Sequence, residues 1–597
     1  MAIVKLAKVT LFGIADQKES VLEDLQGFGC LHLINLSPGT GEGLPETGSA
    51  EAHEAVQYLA SCTTQRRQVT DPAEFDFSRV EREVLETRHR ERVCRDERDY
   101  LVEAIEAQRP WGEFETPPNG VVGDLRLWFY TVPHYEMAAV RESSFVWQAV
   151  ARDTRFEYVV VLSEEEPEGF PGTQQTLDPR PLSQLRRRLR ELDDALEDLH
   201  WRRVDLTRWH ELLIQALTEA DDRAIREYAA TQTLDASQVF AVQGWIPREQ
   251  VSRLEGYAFE HGMAVTVAEP ATSDQPPTLL ENPEYFRGGE QTVTFFMTPG
   301  YRAWDPSIVL FISFCLFFAM IFADAGYGAL LGLIVAAVWK KMETTRALRR
   351  MRTLFTALAC SSIVYGILAG SYFGLAPPPG SPLAAVRILN PVEQGQMIRL
   401  SILIGGIHVV LANLVAAWVQ RRSIVALASV GWAVAITGAL AAGFRAIGDE
   451  VPVEALTAEF ALAGGGLLGV FLFSSTRPLS SLLALLARIG DGLVALFKVT
   501  GAFGDVLSYL RLFALGLASS SLAITFNELA HDLATGLPGM GILLAVLILL
   551  VGHAVNFVLA ILSGVVHGLR LNYIEFFNWS LSEEGYPFHA FCKKAGP

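Results

Sequence analysis

The sequence predicts a two-part membrane protein: N-terminal cytoplasmic α+β lobes joined by an antiparallel coiled coil, then a C-terminal all-α polytopic domain with eight transmembrane helices. Three observations predict it. Charge is divided unevenly along the 597 residues: residues 1–300 carry 30 Lys and Arg against 52 Asp and Glu, residues 301–597 only 19 against 15. Apolar runs long enough to cross a bilayer fill the second half. A leucine seam, Leu182, Leu185, Leu189, Leu192, Leu196 and Leu199, steps 3-4-3-4-3 through the first half, which is the spacing of a heptad stripe.

The soluble half, 1–300, reads as lobes separated by long helices. Ile3–Ile14 is strand-like, Gln17–Leu25 helical and Gly29–Leu36 strand-like again. Gln238–Trp245 and Ala264–Ala268 read as further strands that close this first lobe, about 1–50 plus 235–300. The second lobe, about 112–178, alternates strand and helix signals, with strands at Leu125–Thr131 and Tyr158–Leu162. Between the lobes lie charged, helix-prone stretches at about 52–110 and 180–232. The chain must go out to the second lobe and return, so these two stretches are expected to pair antiparallel.

In the second half, 301–597, the run from Trp304 to Trp339 would make a helix of ~54 Å, against a hydrocarbon core of ~30 Å. Asp324, Gly326 and Gly328 interrupt it. The expectation is a hairpin of two short spans, about 306–323 and 326–340. The basic segment Lys340–Arg352 then lies in the cytoplasm by the positive-inside rule. The remaining spans are expected near 353–374, 397–420, 424–444, 455–474, 502–530 and 540–577. Eight spans keep both termini and nearly all loop cations on the inner side.

Several functions are excluded. The soluble half is too acidic to bind nucleic acid. The six cysteines are scattered without a CxxC pair, which fits free thiols in a reducing compartment. GxxxxGK[ST], GxGxxG after a strand, HExxH and a GxSxG elbow do not occur, and histidines do not cluster at ligand spacing. No cofactor, metal, nucleotide or catalytic site is therefore expected in this chain. The N-terminus lacks the apolar core of a signal peptide.

Ionisable groups inside spans are costly and mark function. Arg511 lies about ten residues into the 502–530 span, and Arg570 about eight residues before the inner end of the next. The two spans run antiparallel, which brings both guanidiniums to similar depth, ~12–15 Å from the inner helix ends. Arginine does not carry the proton itself but stabilises an ionised carboxylate. Asp505, six residues from Arg511, falls on another face, and Glu575, five from Arg570, only roughly shares its face. The expected carboxylate partner therefore belongs to another protein. Ser508, Ser519, Ser520, Asn527, Glu528, His553, Asn556 and Glu575 are candidates to line a polar path.

At these residues the chain resembles a known family. Gly504–Ala518 (GDVLSYLRLFALGLA) and the terminal HGLRLNYIEFF and GYPFHAF segments are similar to the signature of the membrane-embedded a subunit, also called subunit I, of V-type and A-type rotary ATPases. MAIVKLAKVTLFG, GWIP at Gly244–Pro247, FFAMIFADAGYG, SYFG at Ser371–Gly374 and LIGGIHVVLANLV at Leu403–Val415 extend the resemblance along the chain. It implies a non-catalytic stator subunit whose cytoplasmic rod is held by peripheral-stalk E/G subunits and contacts the central-stalk base d/C subunit. It implies that the last two spans are long and tilted against a proteolipid c/K ring. The essential arginines map onto Arg511 and Arg570, and a preceding histidine onto His567. Ring carboxylates would pass these arginines between two offset half-channels for H⁺ or Na⁺. Eukaryotic relatives carry glutamate where this chain has Ala560. The expected location is a prokaryotic plasma membrane, with both termini cytoplasmic. Two other classes compete: a self-contained secondary transporter, which would show internal repeats that this sequence lacks, and a membrane-anchored scaffold without an ion path.

Overall fold

The architecture comes from a computed structural model, which describes residues 3–37, 50–115, 121–389, 393–448, 452, 456–478, 481–537, 540–581 and 583–594. Residues 38–49 of the expected first lobe and 116–120 of the second therefore lie outside the described residues. The chain forms two compact units. One comprises 1–12, 30–34 and 243–590; the other comprises 13–29, 35–242 and 591–597.

The second unit is built from helices and one small sheet. Its helices are α1 (Lys18–Phe28), α2 (Ala50–Ala60), α3 (Phe77–Gln108), α4 (Met137–Glu142), α5 (Leu182–Leu206) and α6 (His210–Thr231). The helix-prone stretch at about 52–110 forms two helices, α2 and α3. Pro72 lies in the intervening segment, and Asp76 caps α3 by accepting from the Arg79 amide at 3.1 Å. α3 and α5 run antiparallel. Glu83 pairs with Arg202, Glu97 with Arg188, and Gln108 donates to the Arg180 carbonyl at 3.1 Å. The expected leucine seam is the stripe that faces inward: Leu182, Leu185 and Leu192 are buried, Leu185 beside Leu101. Strands β3 (Val121–Val122), β4 (Leu125–Pro133), β5 (Val146–Arg152), β6 (Phe156–Ser163) and β7 (Thr173–Gln175) form an antiparallel sheet, β3-β4-β6-β5, with β7 also on β4. Val132, Val159 and Val161 alternate into its core, as a half-covered sheet requires.

The first unit starts with antiparallel strands in the order β10-β1-β9-β2, made of β1 (Leu6–Ile14), β2 (His32–Ile34), β9 (Val239–Pro247) and β10 (Ala264–Ala268). β8 (Leu234–Ala236) pairs with the first residues of β9 in the other unit. α7 (Val251–Glu260) and α8 (Arg287–Phe296) follow. β11 (Thr298–Pro299) pairs with β12 (Glu584–Gly585).

The helical body runs α9 (Ser307–Phe322), α10 (Ala325–Ala337), α11 (Arg346–Ala369), α12 (Pro382–Val386), α13 (Gln394–Val419), α14 (Val425–Gly448), α15 (Thr457–Phe473), α16 (Leu482–Ser508), α17 (Leu510–Gly536), α18 (Met540–Arg570) and α19 (Phe577–Ser580). Among the described residues, four helical segments are long and apolar enough to cross a membrane: Ala347–Ala369, Gln394–Val419, Val425–Ala446 and Met540–Ser580. α9, α10 and α15 are apolar but shorter. The chain reverses at Asp324. Ser361 of α11 donates to Cys315 of α9, Ser371 accepts from Ala325, and Gly366 and Gly328 sit against Ala325 and Ile363. α9 therefore runs parallel to α11, and α10 antiparallel to it.

One expectation needs correction. A single span over 502–530 does not form. Helix α16 begins at Leu482 and ends at Ser508, and α17 starts afresh at Leu510. The break is Tyr509, fully buried, whose hydroxyl meets His408 Nδ1 at 2.7 Å and whose ring lies edge-on to Phe317. Gly405 makes room for it, since a Cβ there would approach the ring within 2.5 Å.

Candidate functional site

The last two long helices lie antiparallel, with Ser519 opposite Asn556 and Phe526 opposite Gly552. Gly552 is needed for that approach, because a Cβ would stand 2.5 Å from the Phe526 ring. Antiparallel packing turns residues far apart in sequence into two polar groups, one at the Arg511 end of the pair and one near its middle.

The first group gathers around Arg511, the second residue of α17. The break at Tyr509 puts this arginine in the first turn of a helix, whereas the sequence reading places it about ten residues into a continuous span. Its guanidinium lies 4.0 Å from Glu575, and the Glu575 side chain is 2% exposed. The carboxylate partner expected to come only from another protein thus has an intrachain rival. An α-helix would carry Glu575 about 140° round from Arg570, at 100° a residue. Here Leu571–Phe576 is a π-helical turn. Closing i to i+5 instead of i+4 draws the two residues towards one face. Ser508, whose hydroxyl donates to the Gly504 carbonyl at 3.0 Å, also adjoins Glu575. Arg511 and Arg570 both act electrostatically on His567 and on Glu575. The structure therefore brings together Arg511, Glu575 and Ser508, with His567 and Arg570 within electrostatic reach of them. Arg511 Nη1, His567 Nδ1 and Glu575 Oε2 are buried without a hydrogen-bond partner among the described residues, an expensive state unless something external completes it.

The second group lies further along both helices. His553 Nδ1 meets the Tyr327 hydroxyl at 2.7 Å, and its Nε2 meets Asn527 Oδ1 at 3.1 Å. Asn556 Nδ2 donates to Tyr327 Oη at 3.0 Å and to the Ser519 carbonyl at 2.9 Å. Asn527 donates to the Phe373 carbonyl at 2.8 Å. Ser519 and Ser520 are buried, and Glu528 is exposed outside this network. Ala560 is buried in an apolar cluster with Phe322 and Phe557, so no polar group stands at that position.

Sequence reasoning did not assign Tyr327, the hub of the second group, nor its support Asp324. Sequence alone marks Asp324 as a turn residue. It caps α10 by accepting from the Tyr327 amide at 3.0 Å, and it clamps the Ser371–Gly374 loop through the Phe373 and Gly374 amides and the Ser371 hydroxyl at 2.7–2.9 Å. Gly374 takes φ +75 there, with a would-be Cβ 2.7 Å from Ala523. The signal was present in FADAGYG and SYFG, two segments that carry the resemblance but lie 47 residues apart at Asp324 and Ser371. Buried His408, which holds Tyr509, was equally unassigned.

A helical body with several bilayer-length apolar segments, and with partly exposed Arg511 and exposed Arg570 on its last two long helices, defines a polytopic membrane protein. No family model matches the chain. It is 27% identical over 623 residues to V-type ATP synthase subunit I 1 of Treponema pallidum (strain Nichols), covering 96% of this chain and 97% of that one. V-type ATP synthase subunit I of Borreliella burgdorferi is 22% identical over 610 residues, with the same shares covered. A-type ATP synthase subunit I of Methanocaldococcus jannaschii is 28% identical over 429 residues, 64% of this chain and 59% of its own. The chain is thus similar, over nearly its whole length, to subunit I of V-type and A-type ATP synthases. A crystal structure titled as the cytoplasmic N-terminal domain of subunit I, homolog of subunit a, of V-ATPase covers 44% of this chain and 99% of its own at 19% identity. Its TM-score of 0.24 is too low to argue from.

Proposed function

We propose that the chain is the non-catalytic stator subunit of a rotary V/A-type ATPase, coupling H⁺ or Na⁺ translocation to rotation. In this reading, residues 1–300 form the cytoplasmic stator domain, with lobes at about 1–50 plus 235–300 and about 112–178 bridged by the coiled coil. Residues 301–597 form the membrane domain with eight spans. Counting α9, α10, α11, α13, α14, α15, α17 and α18 as spans gives eight. The 41 residues of Met540–Ser580 would reach ~60 Å, about twice the hydrocarbon core, and therefore tilt. The partners are a proteolipid c/K ring, peripheral-stalk E/G subunits and the central-stalk base d/C subunit.

The observation that carries the reading is the group around Arg511. Its buried, unpartnered polar atoms are suited to meet a carboxylate brought by a moving partner. A permanent positive charge stabilises the ionised carboxylate and promotes release of its ion, and it bars direct ion passage between the two sides. Ser508, His567 and Glu575 would serve one half-channel. Ser519, Ser520, Asn527, His553 and Asn556, with Glu528 at the edge, would serve the other. Tyr327 would take the polar role that Ala560 does not supply. The test is Arg511→Ala in the complete complex reconstituted into vesicles. ATP-driven ion uptake should vanish while the complex still assembles; uptake at the wild-type rate would reject the function. Arg570→Ala should reduce uptake less severely. Co-purification with a small proteolipid separates this reading from a self-contained transporter and from a scaffold.

A further inference from the structure

We infer that Glu575 is the resident counter-ion of Arg511, holding the guanidinium between encounters with the moving carboxylates of the partner ring. The inference rests on the function proposed above and deepens it. The geometry favours a holding role over a fixed salt bridge. The pair stands at 4.0 Å, at the outer edge of ion-pair contact. Arg511 Nη1 and Glu575 Oε2 each keep a buried, unused hydrogen-bonding position. A bidentate pair would spend both and lock the arginine. The Arg511 side chain is also 24% exposed, while that of Glu575 is almost wholly enclosed. An arginine left alone in an apolar setting costs several kcal/mol. A permanent tight partner would instead remove it from the path. A loose internal carboxylate avoids both extremes and lets an incoming carboxylate displace it.

The local fold gives the placement its own signature. The π-helical turn Leu571–Phe576 interrupts the helix at the point where Glu575 must swing towards α17, and such turns recur at functional positions. The turn is wedged by buried Leu571, Asn572, Tyr573 and Phe576. Asn572 donates to the Gly568 carbonyl at 3.0 Å, and Tyr573 donates to the Thr292 carbonyl. The backbone that carries Glu575 is thereby fixed independently of Arg511, as a counter-ion that must repeatedly let go requires.

The experiment compares Glu575→Gln and Glu575→Asp in the reconstituted complex, reading ATP-driven ion uptake, ATP hydrolysis and recovery of assembled complex. Glutamine keeps the size and loses the charge; aspartate keeps the charge and shortens the reach. A counter-ion predicts that Glu575→Gln slows uptake about tenfold, a barrier change of ~1.4 kcal/mol. Glu575→Asp should keep clearly more activity, both with normal assembly. A packing or hydrogen-bonding role predicts the reverse order. The idea is overturned if Glu575→Gln pumps at the wild-type rate, if it outperforms Glu575→Asp, or if both variants lose assembly equally. Arg511→Ala in the same assay separates the two levels. Normal uptake there defeats the proposed function itself, whereas a dead Arg511→Ala beside an unaffected Glu575→Gln defeats only the counter-ion.

Discussion

Removing the Asp324 carboxylate should loosen the helical body more than any single truncation at its surface. The side chain is 3% exposed and accepts from three backbone amides, Tyr327, Phe373 and Gly374, and from the Ser371 hydroxyl. In Asp324→Ala the buried Tyr327 and Ser371 donors and the part-buried Phe373 and Gly374 amides lose their acceptor, at up to about 1–3 kcal/mol each and least for the part-buried pair. Relief from burying a charge offsets part of the sum, which leaves a net loss of about 3–5 kcal/mol. Asp324→Asn keeps Oδ1 for the Tyr327 and Phe373 amides but turns an NH₂ towards the Gly374 amide and Ser371. Its cost should be about 1–2 kcal/mol, one lost acceptor. Thermal unfolding of the purified protein in detergent, followed by tryptophan fluorescence, should show a drop of at least about 5 °C for the alanine variant and a smaller one for asparagine. Limited proteolysis should open the 371–375 loop in the same order. A melting point for Asp324→Ala within about 1 °C of wild type, or a larger drop for asparagine than for alanine, would refute the reasoning.

Three further outcomes are expected. In the antiparallel pair of the soluble unit, Leu185→Ala empties a fully buried site beside Leu101 and Leu192. It should cost about 2–5 kcal/mol, read by chemical denaturation, and an unchanged midpoint would show that the seam does not pack. Thr344→Cys should react with a membrane-impermeant maleimide in inside-out vesicles but not in intact cells, scored against the unsubstituted protein, whose own exposed Cys360 and Cys592 set the background. Labelling in intact cells would reject the proposed topology. His32 accepts from the His589 amide at 2.9 Å, and burial holds its imidazole at about 4, below the usual value of 6.5. The unfolded state therefore binds more protons between pH 6.5 and 4, so this stabilisation is full above about 6.5 and is lost as pH falls towards 4. Protection of the 586–589 amides, with exchange corrected for its intrinsic pH dependence, should fall across that window, and constant protection would contradict the assignment.

What could be read from residues alone was whatever local periodicity or charge encodes. The strands at 264–268 and near 239–247, the leucine stripe on α5, the apolar helices and the reversal at Asp324 all come from patterns within a few residues of each other. The two halves of the chain also differ in net charge, which sequence alone reports. Arg511 and Arg570 stood out because charge in an apolar run is rare.

The tertiary structure decided what depends on contacts across long sequence distance. α16 carries its own periodic leucines, yet its end at Ser508 depends on His408, about a hundred residues upstream, anchoring Tyr509. Asp324 was legible as a turn but not as a clamp, because the amides it holds arrive from residues 373 and 374. The pairing of Glu575 with Arg511 was hidden for a different reason. Helical spacing predicts faces only while the helix keeps 3.6 residues per turn. One π-helical turn at Leu571–Phe576 changes that count, and packing around the turn, which no local pattern reports, sets where the carboxylate points.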